Sequence, residues 1–224
     1  MTERKAKGKK RLLLVDDHPL LREGIAQLIN EQTDLQVCGE AEDRQSALAA
    51  LDATRPDLAI VDISLKDQSG LELIKDFQAR APGLLVLVLS MHDEALYAER
   101  ALRAGARGYI MKREAAYRVL DAIRLVLSGG TYVSEKMMAS ILDKVSGRAP
   151  TTRPAALAAL SDRELDVLLL IGQGYGAQQM AARLHISTKT IETHRANLKL
   201  KLKLGSSGEL LQQAIRWAHE LGTG

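Results

Sequence analysis

LAIVDISLKDQSG, residues 58–70, is the stretch from which the fold is read. Leu58–Val61 is a short apolar run that meets one carboxylate, Asp62, and then turns through Lys66, Asp67, Gln68, Ser69 and Gly70. A run of that length bounded by turn residues reads as a buried strand, and burial on both faces is typical of parallel sheets. Asp62 then stands at the strand's carboxyl end, the edge of an open α/β sheet where ligands bind. A lone Asp there reads most simply as a cap or turn residue, so the case depends on what else reaches that edge.

Outward from this stretch the pattern repeats. Leu12–Val15 is a strand ending in Asp16 and Asp17, and Pro19 opens a helix with Leu20, Leu21, Ile25, Leu28 and Ile29 on one face. Leu35–Gly39 is a second strand; Asp43 caps a helix carrying Ala47, Leu48 and Leu51, which Pro56 ends. After Asp62, a helix with Leu71, Leu73, Ile74 and Phe77 stops at Pro82-Gly83. Leu84–Leu89 is a fourth strand ending at Ser90, followed by a helix with Leu96, Tyr97, Ala101 and Leu102 that stops at Gly105. Gly108–Met111 is a fifth strand ending at Lys112, and a helix with Val119, Leu120, Ile123, Val126 and Leu127 closes at Gly129-Gly130. Five alternations predict a doubly wound α/β fold, a five-stranded parallel sheet covered on both faces. Crossovers of one hand put every strand end on the same edge, so Asp16, Asp17, Asp62, Ser90 and Lys112 converge.

A chain of 224 residues, 46% of them hydrophobic, can bury a full core and has room for two domains. Its single cysteine, Cys38, forms no internal disulfide, which suits a reducing cytoplasm, and its apolar surroundings suggest a core position. The basic start lacks the apolar stretch of a signal peptide, and no segment reaches the roughly 20 apolar residues of a membrane span. Charge is unevenly placed. Residues 1–11 carry six Lys/Arg against one Glu, residues 12–149 carry 16 basic against 21 acidic, and residues 150–224 nine basic against six acidic. An acidic body with a basic C-terminal part makes the latter the candidate for nucleic acid, and residues 1–10 read as a solvated basic tail.

Three carboxylates about 5 Å apart repel by roughly 3 kcal/mol per pair at an effective dielectric near 20. Such a site calls for a hard divalent cation, Mg²⁺ above all, with Lys112 as a second positive charge and Ser90 as a hydroxyl donor. An Asp in those surroundings can attack a phosphoryl group and hold the acyl phosphate. VDDH (Val15–His18), VDISLKDQSG (Val61–Gly70), LVLS (Leu87–Ser90) and GYIMK (Gly108–Lys112) resemble the receiver domain of two-component response regulators, over residues 11–130. The resemblance implies that Asp62 is the phosphoacceptor, served by a sensor histidine kinase. It also implies that Asp16, Asp17 and Asp62 bind Mg²⁺ (Asp17 directly) together with the backbone carbonyl of Ser64. Ser90 and Lys112 would then sense the phosphoryl group, with Tyr109 as the aromatic switch residue. Lys66 departs from the family, which commonly has proline there, and this puts the loop's shape and local charge in question.

Residues 131–156 read as a short helix, Ser134–Lys144, and a linker rich in small residues, Pro and Arg. The remainder is helical. Ser161-Asp162-Arg163-Glu164 is a capping box that opens a helix with Leu165, Leu168, Leu169 and Ile171, ended by Gly172, Gly174 and Gly176. A short helix with Met180, Ala181 and Leu184 follows, then one capped by Ser187 that runs from Thr188 to about Leu202. LKLKLKL, Leu198–Leu204, alternates like a strand, but Leu and Lys are good helix formers and the segment continues a capped helix. Ser206 and Glu209 open a last helix with Leu210, Leu211, Ile215 and Trp217.

Leu160–Leu198 resembles the helix-turn-helix of the NarL/FixJ (LuxR-type) class, and with the last helix the likeness covers residues 157–221. On the Thr188 helix, Ile191, His194, Leu198 and Leu202 share a core stripe. Thr188, Lys189, Glu192, Thr193, Ala196 and Asn197 then form the DNA face, with Arg195 and Lys199 placed for phosphates. Gly176-Ala177 replaces the small polar residues usual in the class, and Leu200 stands opposite the core stripe where a charge is expected. The expectation is a cytoplasmic transcription factor that binds double-stranded DNA as a phosphorylation-promoted homodimer, with RNA polymerase a further candidate partner. It is not an enzyme beyond its own phosphoryl transfer. A Mg²⁺-dependent aspartate-nucleophile phosphatase is the enzyme rival, disfavoured because Ser64 stands where a second Asp is needed. A phosphate-independent DNA binder is the other rival.

Overall fold

The computed structural model of the chain describes residues 8–65, 69–146 and 155–220. The basic tail up to residue 7, Lys66, and most of the linker lie outside them. The chain divides into two compact units between Met138 and Ala139.

The first unit alternates β1 (Lys10–Val15), α1 (Pro19–Asn30), β2 (Leu35–Ala41), α2 (Arg44–Thr54), β3 (Leu58–Val61), α3 (Gly70–Arg80), β4 (Leu85–Ser90), α4 (Glu94–Ala104), β5 (Gly108–Met111) and α5 (Ala115–Leu127). The strands form one parallel sheet in the order β2-β1-β3-β4-β5. Alternation along each strand fills both faces. Leu12, Leu14, Leu58, Ile60, Leu87 and Leu89 pack in one core with Ile25 and Ile29 of α1 and Val119, Ile123 and Val126 of α5. Their neighbours Leu13, Ala59, Val61, Val86 and Val88 are equally buried on the other face.

Register makes the functional edge. Val15 pairs with Val61 and Val61 with Val88, while Ser90 pairs with Met111. The next residues, Asp16, Asp62 and Lys112, therefore leave the sheet side by side, with Ser90 closing β4. The order reverses between β1 and β3, and the crevice at such a switch point is the ligand position of open α/β sheets.

One local feature corrects the sequence reading and another adds to it. β1 and β2 slip register between Leu12↔Val37 and Leu13↔Gly39, so Cys38 is the extra residue of a bulge on an edge strand. It is half-buried, not a core residue. Beyond α5 the chain returns to β5, where the Tyr109 N–H donates to the Tyr132 carbonyl at 2.8 Å and the Tyr132 N–H to the Arg107 carbonyl at 3.0 Å. These bonds cover part of the β5 edge.

α6 (Glu135–Val145) spans the division between units. The second unit continues with α7 (Ala155–Ala158), α8 (Asp162–Gly172), α9 (Ala177–Arg183), α10 (Thr188–Leu202) and α11 (Ser207–Glu220). The end of the expected linker is thus a helical turn, with Leu157 buried just inside it. Gly172 is the last residue of α8, as expected, and has a packing role too: a Cβ there would come within 2.5 Å of the Ala214 carbonyl oxygen, so its absence lets α8 and α11 pack closely. α10 runs through the alternating segment to Leu202 and ends with Lys203 in the left-handed region. On α11 the buried stripe is Leu210, Ala214, Trp217 and Ala218, whereas Leu211 and Ile215 are exposed.

Candidate functional site

The backbone positions the Asp62 edge before any side chain does. The Asp62 N–H donates to the Val15 carbonyl at 2.8 Å, and the Asp16 N–H to the Ala41 carbonyl at 3.1 Å. Past Asp62 the loop closes back on the strand, with the Gly70 N–H donating to the Ile63 carbonyl at 2.8 Å. A Cβ on Gly70 would lie 2.1 Å from the Asp62 carbonyl oxygen, so only glycine permits this return.

Asp16, Asp17, Asp62, Ser90 and Lys112 are all buried. Lys112 Nζ donates to Asp62 Oδ2 at 2.7 Å and lies 2.8 Å from Asp16 Oδ2. Lys112 itself begins a 3₁₀ turn, Lys112–Glu114. The Ser64 N–H donates to Asp62 Oδ1 at 3.0 Å. Burial pushes the Asp62 carboxyl above its ordinary range, with the Lys112 ammonium opposing. Burial also disfavours the Lys112 ammonium, but Asp62 and Asp16 outweigh it and raise that group. Lys112 is therefore a permanent cation between two carboxylates.

The carboxylates are not satisfied by it. Asp16 Oδ2 and Asp17 Oδ1 are buried and accept no well-aligned hydrogen bond, Lys112 being near Asp16 without the alignment. Ligand atoms of Asp16, Asp17, His18 and Asp62 lie within 4.8 Å of one another. Buried carboxylate oxygens without donors are the donor set a hard divalent ion requires, so these residues fit Mg²⁺. His18, which sequence reasoning passed over, brings Nδ1 to 2.8 Å from Asp17 Oδ1 and 3.1 Å from Asp16 Oδ1.

Asp16, Asp17 and Ser90 do not serve as helix N-caps. The N-cap of α1 is His18, with no side-chain cap, and the Asp16 carboxylate instead accepts the His18 N–H at 2.8 Å. Asp93, not Ser90, caps α4. Ser90 Oγ accepts the His92 N–H at 3.1 Å, and the Tyr109 hydroxyl donates to the His92 carbonyl at 2.9 Å. One peptide segment thus joins Ser90 to Tyr109, which is 1% exposed and whose phenol burial pushes far up. His92 Nε2 also meets Ser64 Oγ at 2.8 Å across the pocket mouth, a link the spacing of the two residues gave no hint of.

In the second unit α9, a four-residue turn and α10 form a helix-turn-helix. His185 in the turn takes a left-handed backbone (φ 53°). Ser187 caps α10 by accepting the Thr190 N–H at 3.0 Å. Gly176 offers α9 no side chain, but Gln179 Oε1 accepts its N–H at 3.0 Å and recovers half of a capping box. Ile191 and Leu198 are fully buried, and His194 is half-buried with Nδ1 unpartnered, so His194 belongs to the packed side. Thr188, Lys189, Glu192, Thr193 and Ala196 are exposed, and Arg195, Asn197 and Lys199 partly so. Arg195 pairs with Glu192 at 3.1 Å, which holds its guanidinium beside the exposed face. Lys201 points the other way. Its Nζ donates to Glu164 Oε2 at 2.7 Å, and that same oxygen accepts the Ser161 N–H at 2.7 Å. The α8 capping box is thereby tied to α10. Burial works against the Glu164 anion, but Lys201 and Ser161 hold its carboxyl below the ordinary value.

Comparison with known proteins matches both units. A family model of the response regulator receiver domain matches residues 12–124, and one of the bacterial regulatory proteins of the luxR family matches residues 158–218. The oxygen regulatory protein NreC of Staphylococcus carnosus (strain TM300) is 33% identical over 210 residues, covering 92% of this chain and 97% of the relative. NreC of Staphylococcus aureus (strain JH9) is 34% identical over 212 residues at the same coverage. Promoter-bound RcsB from Salmonella enterica serovar Typhimurium, solved with the phosphomimetic BeF₃⁻, is 25% identical with a TM-score of 0.56, over 92% of this chain and 97% of that one. Among the described residues no helix is long and apolar enough to cross a membrane. The chain belongs to the LuxR-type (NarL/FixJ) response regulators, the DNA-binding transcription factors of two-component systems that join a receiver domain to a helix-turn-helix domain.

Proposed function

We propose that Asp62 is the phosphoacceptor of this regulator and that its phosphorylation by a sensor histidine kinase in the cytoplasm switches DNA binding. The observation that carries this is the buried Lys112–Asp62 pair at 2.7 Å, set among Asp16 and Asp17 oxygens that accept no well-aligned hydrogen bond. In the transfer, an Asp62 oxygen forms the new bond to phosphorus. The bond to the phosphodonor's leaving group breaks, and its electron pair goes with that group. Lys112 is already placed to exchange part of its hold on Asp62 for a phosphoryl oxygen. Asp16, Asp17, Asp62 and the Ser64 carbonyl would hold Mg²⁺, which when bound screens the carboxylates and neutralises charge on the phosphoryl oxygens.

Ser90 supports the switch because its hydroxyl is fully buried at the same edge. Turning that hydroxyl to a phosphoryl oxygen releases the His92 N–H, and His92 is the residue whose carbonyl holds Tyr109. The two states differ in these bonds, which is what a population shift requires. One recognition helix reads few base pairs, so two copies on paired half-sites supply useful specificity, and phosphorylation favours that homodimer. On α10, Thr188, Lys189, Glu192, Thr193, Ala196 and Asn197 meet base edges or groove walls while Arg195 and Lys199 meet phosphates.

Incubation with acetyl phosphate and Mg²⁺ tests the chemistry. One label is expected, labile to base and to hydroxylamine as an acyl phosphate is, and absent from Asp62→Ala. Label persisting in that variant contradicts the assignment.

A further inference from the structure

Leu200 is the most exposed large apolar side chain in the described part of the second unit, at 77%. It does not stand alone. Thr193, Ala196 and Leu200 follow at intervals of three and four, so they share one face of α10, away from the buried Ile191 and Leu198. All three are exposed. Lys189, one turn before Thr193, and Lys203, at the C-cap after Leu200, are exposed as well. The result is an apolar stripe bracketed by two cations. Lys201 takes no part, being held by Glu164.

The stripe is continuous with the face that carries Glu192, the face taken above as the DNA surface of the matched helix-turn-helix. Against phosphate an apolar stripe gains nothing. In the major groove it has one complementary partner, the C5-methyl group of thymine. Reach is sufficient: the 11 helical steps from Lys189 to Leu200 rise about 16 Å, close to five base-pair steps. The lysines at either end of the stripe then fall where the groove walls carry phosphates.

We propose that Leu200, with Ala196 and the Thr193 methyl, reads thymine methyl groups, so that each half-site requires thymine at the positions these side chains meet. The proposal rests on α10 being the recognition helix and adds to it which base feature the far end of that helix selects.

The full-length protein is first used to select duplexes from a randomised library. The selected duplex is then compared with copies in which one thymine at a time is replaced by deoxyuridine, which lacks only the methyl. Wild type should lose roughly fourfold in affinity at one or two positions, the worth of one buried methyl. Leu200→Ala should abolish that sensitivity at one of them and keep the salt dependence of binding. Leu200→Gln should do the same, and the exposure of the site lets both variants fold. Wild type indifferent to every deoxyuridine, or sensitivity undiminished in both variants, overturns the assignment. If Glu192→Ala still shifts the selected bases in that case, only the role of Leu200 fails. If the full chain binds no duplex in a salt-dependent way, the recognition-helix reading fails with it.

Discussion

Asp62 and Lys112 are 1% and 9% exposed, whereas Leu200 on α10 is 77% exposed. At the receiver edge the charged groups are gathered, desolvated and held by one another. On α10 the exposed groups are held by little beyond the helix that carries them. The contrast is what the proposed function requires of each. A phosphoryl group and its cation need charge arranged in advance, because reorganising dipoles during the reaction is costly. A DNA face needs groups that stay free for a partner, and the residues buried beneath it serve to fix its orientation. Glu164 and Lys201 show the division within a single helix: α10 commits one lysine to its own scaffold, while Lys189 and the C-cap Lys203 are exposed and Lys199 partly so.

The contrast breaks first at Lys112. Lys112→Ala removes the cation between two buried carboxylates, and breaking such a pair costs about 3 kcal/mol or more. Urea unfolding should show this loss, and Mg²⁺ should recover part of it. Unchanged stability would mean the edge does not depend on its internal cation. Glu164→Gln should cost about 2 kcal/mol, the worth of hydrogen bonds to a charged group, and should leave phosphorylation of Asp62 intact. Its sign with pH is set by the lowered carboxyl. The contribution is complete above the ordinary value of 4.5 and is lost as pH falls through the depressed folded value. His194 acts earlier in the same direction, since burial lowers its pKa from 6.5. Stability therefore declines as pH falls below 6.5, where the unfolded chain takes up the proton first. Wild type and His194→Gln compared from pH 7.5 to 5 should differ in that slope.

Smaller effects sharpen the comparison. Asp17→Asn removes one repelling carboxylate, so the metal-free protein should gain stability, the opposite sign to Lys112→Ala. The rise in Tm that Mg²⁺ gives wild type should vanish, and an undiminished rise would remove Asp17 from the metal site. On α10, Lys199→Ala should weaken all DNA sites alike and lower the salt slope by about one. Glu192 and Thr193 variants should instead change which bases are preferred, and preference unmoved by both would place the DNA face elsewhere.

The receiver was legible because its signals are redundant. Five strand ends fall on one edge by topology alone, and the carboxylates, Ser90 and Lys112 stand at those ends. Links between side chains from separate loops were not legible. Nothing in the spacing of Ser64 and His92 shows that Oγ and Nε2 meet at 2.8 Å, nor that the His92 peptide joins Ser90 to Tyr109. Cys38 was read as core because its neighbours are apolar, but a bulge on an edge strand is a matter of register, which hydrophobicity does not encode. Propensity decides the alternating segment for helix as far as Leu202, and the alternation then separates its two helical lysines: Lys201 reaches Glu164 while Lys199 lies on another side, partly exposed. Leu211 and Ile215 are apolar residues of the last helix as well, yet they are exposed because they lie off its buried stripe of Leu210, Ala214, Trp217 and Ala218.

The central claim is that charge gathered around Asp62 controls a DNA surface in the other unit. Sedimentation and DNA affinity measured with and without Mg²⁺ and beryllofluoride, on single and paired half-sites, test it most directly. The account predicts a shift from monomer to dimer and tighter binding to paired half-sites in wild type, with neither change in Asp62→Ala. Unchanged mass and unchanged affinity at saturating beryllofluoride would contradict it, and would leave a regulator that binds DNA without regard to phosphate.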